Sequence, residues 1–209
     1  MRLDWVPVSA AAFVTGVMAL AFGSLLAPSG SGAVETLAIV QREDERWLVV
    51  AIIYFIAAVG LTLGLPSVMT LFERRGRILG LWSALVLCMG FLGTAGYSMI
   101  MVFFRALAIN GGINVDALAR VTEESGLVAF LLGWVASFVL GETLLALALL
   151  RSQAVPRWVP ITLLVHVASV LLSSVLPGGV ARVSVMLLSV AFAGVAIQAV
   201  ARDNATPRI

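Results

Sequence analysis

Glu142 and His166 are the two residues of this chain best suited to chemistry by type and by setting. Each is ionisable, and each lies inside an apolar run: GWVASFVLGETLLALALL for Glu142 and VPITLLVHVASVLL for His166. An ionisable group at hydrocarbon depth is expensive, so it marks a functional site as the first hypothesis. Glu142 stands eight residues before Leu150, and His166 eight residues after Trp158. At a helical rise of 1.5 Å per residue, each is about 12 Å from the turn between the two runs. If the runs form an antiparallel hairpin, the two side chains are level and can pair. Two chemistries then compete. One is a proton-handling or substrate-polarising pair facing a cytoplasmic cavity, since imidazole takes up and releases protons near neutral pH. The other is a hydrogen bond that ties two helices together, a common use of polar groups in membranes.

Four further residues are candidates for a binding role. Thr162, Ser169 and Ser173 fall within about 60° of His166 on a helical wheel, giving that helix one polar stripe. Glu142 lies about 100° round from Gly141, outside the small-residue line of its own helix. Pro66 removes a backbone donor and crowds the carbonyl of Thr62, which predicts a bend and with it room for a ligand. Other chemistries lack their residues. A metal site needs three or four ligands, and the chain has one His and one Cys, Cys88. The same shortage excludes bis-histidine haem. No glycine loop reads as a phosphate cradle, and no basic run suits nucleic acid. A Ser–His–Glu arrangement through Ser169 or Ser173 carries little weight, because any serine-bearing helix permits one. No cofactor is expected.

The elements that must position these residues are membrane helices. Of 209 residues, 61% are hydrophobic and 11% charged, and the mean hydropathy is +1.10. A water-soluble domain carries about 25% charged residues, so lipid is the expected solvent. Six apolar runs have the length of about 20 residues that crosses a hydrocarbon core of about 30 Å. They cover 5–26, 47–72, 78–104, 126–150, 159–176 and 183–200. The fold class is therefore all-α, a single six-helix transmembrane bundle over 1–209. The first run is too long for the apolar core of a signal peptide and reads as a retained helix. Trp5, Trp47 and Trp158 mark helix starts at headgroup level.

Arginine placement sets the orientation. All thirteen basic residues are Arg, and three of them crowd the short 73–77 connection. Short, Arg-rich connections stay inside, which puts both termini in the cytoplasm. The longer 27–46 and 105–125 connections then lie outside. They read as solvated linkers, with a small ordered cap as the alternative. Gly60 and Gly64 form a GxxxG pair, and Gly133, Ser137 and Gly141 recur every fourth residue. Such lines let helices approach closely. Packing within one bundle is the main expectation, and a homo-oligomer or membrane-protein partner the alternative.

From Gly60 to Gly96 the chain reads GLTLGLPSVMTLFERRGRILGLWSALVLCMGFLGTAG. A glycine-rich helix end, a short Arg turn and a second glycine-rich helix resemble a broad group of small multi-pass bacterial membrane proteins, actinobacterial in type and uncharacterised in function. The resemblance implies a bacterial plasma membrane and carries no activity or site residues. The leading functional expectation is a non-catalytic accessory or sensor-type membrane protein. A carrier for a small solute or protons, and a membrane-embedded enzyme acting on a lipid or isoprenoid through Glu142 and His166, stand as alternatives.

Overall fold

The structure, a computed structural model, describes residues 5–28, 30, 32–72, 75–173 and 178–205. Its described residues are all-α. The helices are α1 (Trp5–Leu26), α2 (Gly32–Arg42), α3 (Asp44–Met69, followed by a 3-10 turn Thr70–Phe72), α4 (Arg77–Ile109), α5 (Val115–Thr122), α6 (Ser125–Ser152), α7 (Trp158–Leu171) and α8 (Gly178–Ala205). Five of them, α1, α3, α4, α6 and α8, are long and apolar enough to cross a membrane. The sixth expected span is shorter than the 159–176 run suggested. Helix α7 has 14 residues, which at 1.5 Å each reach about 21 Å. The expected residues 174–176 lie outside the described ones.

Packing joins the six larger helices into a closed ring. Helix α1 touches α3 and α8, α3 touches α4, α4 touches α6, α6 touches α7, and α7 touches α8; α3 and α8 also meet. Lipid gives apolar helices no reason to associate, so close approach must come from shape. At the α1–α3 crossing the shape is glycine. A Cβ on Gly16 would lie 2.4 Å from the Leu61 nitrogen, and one on Gly60 2.8 Å from the Ala12 carbonyl oxygen. Gly64 receives Phe13 in the same way, at 2.3 Å from its Cβ. The Gly60/Gly64 pair thus serves packing within the bundle. Gly133 meets nothing within 4 Å, so the Gly133–Ser137–Gly141 line is not one continuous contact. Phe13 also stacks on Phe192 of α8, with ring centroids 4.6 Å apart.

Pro66 sits inside α3, which continues as a helix to Met69. What happens there is more specific than a bend. The Ser9 hydroxyl of α1 donates to the Leu63 carbonyl at 2.7 Å and accepts from the Ser67 N–H at 3.1 Å. Those two backbone groups are each other's ordinary partners in the i to i−4 ladder. A side chain from a neighbouring helix thus bonds both groups of the rung next to the one whose donor proline removes. The disturbance opens no ligand site: Ser9 and Phe13 fill the space.

One end of the bundle carries Trp5, Ala205 and the 153–157 turn. The other end is capped, and the cap corrects the expectation of solvated linkers. Leu37 and Val40 of α2 pack with Ala108 of α4 and Leu118 of α5, bordered by Trp47, Phe104 and Ile113. The Trp47 indole N–H donates to the Met101 carbonyl at 3.0 Å, and Gln41 reaches the Ala108 carbonyl. Arg105 pairs with Asp44, and Arg46 donates to the Leu26 carbonyl at 2.9 Å.

Candidate functional site

The α6–α7 hairpin brings the two ionisable residues together. Gln153 ends α6 in the left-handed conformation (φ 52°), and buried Ala154 and Val155 hold the turn against the bundle. On α6, Gly141 lies against α4, where a Cβ would be 2.9 Å from the Leu87 nitrogen. The next residue points about 100° away, and Glu142 there meets α7. On α7, Trp158 and Val159 seat against Gly194 of α8, which orients the face carrying His166. The His166 Nδ1 and Glu142 Oε2 are 2.7 Å apart. Glu142 is 1% exposed and His166 6%. The second carboxyl oxygen, Oε1, is enclosed with no hydrogen-bond partner among the described residues.

The pair stands on the wall of a cavity of about 180 Å³, lined by Leu20 and Ser24 of α1, Thr94 of α4, Trp134 and Phe138 of α6, and Leu188 of α8, among others. Its lining is almost wholly apolar. The aromatic part of the wall is rigidly set. Glycines on α4 receive aromatics on α6: Gly90 receives Phe138, Gly93 receives Trp134 and Gly96 receives Phe130. The Trp134 indole N–H donates to the Thr94 hydroxyl at 3.0 Å, and that hydroxyl lies 3.2 Å from the Gly90 carbonyl it donates to. Tyr97 stacks on Trp134 at 4.7 Å, and Phe91 meets Phe138 edge-on at 5.5 Å.

The other candidate residues do not join this site. Thr162 spends its hydroxyl on the Trp158 carbonyl, and Ser169 on the His166 carbonyl at 2.6 Å. Ser173 is exposed past the end of α7. None of these three lines the cavity, and neither does Pro66. A hydroxyl in an apolar helix donates readily to a carbonyl three or four residues back, as Thr162 and Ser169 do. Trp134, Phe138, Thr94 and Ser24 were not among the candidates. Their one sequence signal was a matched pair of stripes: aromatics at 130, 134 and 138 and glycines at 90, 93 and 96.

Two larger hollows lie at the end of the bundle away from the cap. One, of about 630 Å³, borders the α6–α7 turn beside Gln153 and Arg157. The other, of about 470 Å³, lies between Arg77, Trp82 and Arg151. Neither contains the pair. Among the described residues no three His, Cys, Asp or Glu side chains gather as metal ligands would. No protein-family model matches the chain, and neither a curated protein nor a solved structure is similar to it.

Proposed function

We propose that this chain is a membrane-embedded binding protein of sensor or accessory type, and that its ligand is a small, largely apolar molecule held beside Glu142 and His166. The observation that carries the reading is the placement of the one buried acid–imidazole pair on the wall of an apolar cavity. Pockets that bind small molecules combine an apolar lining with a few placed polar groups. A carrier needs a polar path to both faces. Between the pair and the 153–157 turn lie Leu145, Leu149, Val159 and Leu163, all buried and apolar. An enzyme needs further groups around the pair, and the nearby hydroxyls of Thr162 and Ser169 are committed to backbone. In this reading α7 completes six spans in a bacterial plasma membrane, with both chain ends in the cytoplasm.

The test is thermal unfolding of the purified protein in detergent against a panel of small apolar compounds. Binders should raise the midpoint for the natural protein and not for Val139→Phe or Val170→Phe, which fill the cavity. A panel with no binder defeats the reading. Catalytic turnover that Glu142→Gln abolishes would favour the enzyme instead. Reporter fusions after Ile209 and within residues 110–116 check the orientation. A periplasmic signal from the C-terminal fusion contradicts it.

A further inference from the structure

The cavity wall also carries information about the class of ligand, and this inference rests on the binding function proposed above. We infer that the cavity takes a small lipophilic amine, its ammonium group donating to the Glu142 carboxylate and lying against the rings of Trp134 and Phe138.

The wall is almost wholly apolar, and its one acidic group, Glu142, is enclosed behind it, so the ligand's donor meets Oε1 by a rotation of the carboxyl toward the cavity. The Glu142 Oε1 has no hydrogen-bond partner among the described residues. Two donors of the wall are committed elsewhere, the Trp134 N–H to Thr94 and the Thr94 hydroxyl to Gly90, and the Ser24 hydroxyl accepts from Tyr54 at 3.5 Å. No arginine lines the cavity. A carboxylate oxygen left without a donor in apolar surroundings is costly. A ligand that brings a donor relieves that cost, and a charged donor bonds more strongly than a neutral one. Trp134 and Phe138 line the same cavity, and an ammonium seated over the face of either ring gains a second attraction of the same sign. His166 is the one cationic-capable group on the wall, and its Nδ1 already faces Glu142 Oε2. Volume sets the scale of the part of the ligand that is enclosed. A cavity of about 150 Å³ holds benzene, so about 180 Å³ suits a molecule such as cyclohexylamine.

Titration calorimetry on the full chain in phosphatidylcholine nanodiscs separates the classes. The probes are cyclohexylamine, cyclohexanol and methylcyclohexane, which share one ring and differ in the head. The amine should bind the natural protein at least about tenfold more tightly than the alcohol. Glu142→Gln should erase that advantage, while methylcyclohexane, which brings no donor, stays within about threefold of its natural affinity. Trp134→Leu, which keeps the carboxylate, should reduce the amine advantage by about threefold and serves alone if Glu142→Gln does not fold. Equal binding of amine and alcohol overturns the inference, as does an amine advantage that survives both substitutions. If alcohol and hydrocarbon bind while the amine gains nothing, the cavity reading stands and only the amine assignment falls. If none of the three binds, both fall together.

Discussion

Ser9→Ala should cost far more than the loss of a small polar side chain suggests. Its hydroxyl serves two backbone groups of α3, the Leu63 carbonyl and the Ser67 N–H, and it lies 3.2 Å from the Gly64 carbonyl. Ser9 is buried and Ser67 wholly so. Interhelical hydrogen bonds in membranes average about 0.6 kcal/mol, with a maximum near 1.7. A buried backbone group left unsatisfied costs about 1–3 kcal/mol. Two groups share one hydroxyl, and α3 can pair them within its own ladder in part, so we expect about 1–2 kcal/mol. The dependence on proline is the sharper test. In Pro66→Ala the restored N–H and the missing ring let the ladder close without help. Ser9→Ala in that background should cost only about 0.5 kcal/mol, giving a coupling of about 1 kcal/mol. Reversible unfolding of the four proteins in mixed micelles measures it. Independent sites add to within about 0.3–0.5 kcal/mol, and additivity at that level would falsify the idea that Ser9 repairs a proline-disturbed helix.

Other outcomes follow from the same packing. Gly16→Val and Gly64→Ala should each lower stability by about 1–3 kcal/mol or more, since their Cβ atoms would enter the α1–α3 contact; Gly133→Ala, facing open space, should stay within about 0.5 kcal/mol, and unfolding midpoints rank the three. Glu124 caps α6, accepting from the Leu127 N–H at 2.7 Å, and hydrogen bonds from the backbone of Gly126 and Leu127 hold its carboxyl below the usual range. A lowered folded value means the cap is fully effective above the ordinary carboxylate range and is lost as pH falls through the lowered one. Amide exchange at 125–128, corrected for its intrinsic pH dependence, should therefore rise on acidification, and Glu124→Gln should flatten that rise. Thr94→Val removes the acceptor for the Trp134 indole N–H; Trp134 should lose its fixed orientation, seen as a fall in fluorescence anisotropy, and no change there would contradict the rigid wall.

The legible part of this molecule was what depends on one helix at a time or on a short turn. Apolar length located the long helices. The eight-residue offsets on either side of a brief turn placed Glu142 and His166 level, because a tight antiparallel hairpin leaves no freedom of register. What stayed hidden depends on which helices meet across the ring. Ser9 reads as one small residue in an apolar run until α1 is laid on α3. Trp134 becomes a cavity wall only because Gly93 leaves a hollow for it. The polar stripe of α7 turns inward on its own helix in part: the Thr162 and Ser169 hydroxyls donate to carbonyls of α7. The α2–α5 cap was underestimated because its cohesion joins Trp47, Ala108 and Leu118, which belong to three different helices.

Ring closure has a consequence for biosynthesis. The contacts that shut the ring run between its first and last members: Phe13 on Phe192, and the Ser189 hydroxyl beside the Val17 carbonyl at 3.5 Å. One wall of the cavity, Val185 and Leu188, belongs to α8. A nascent chain that has inserted α7 but not α8 thus holds Glu142 and His166 in a half-built pocket, with one side of α1 and one side of α7 still facing lipid. Incomplete packing and exposed interior surface are what quality-control machinery recognises in assembly intermediates. A chain stopped before Gly178 should accordingly be cleared by membrane proteases, and supplying α8 as a separate segment should protect it by docking in the gap between α1 and α7.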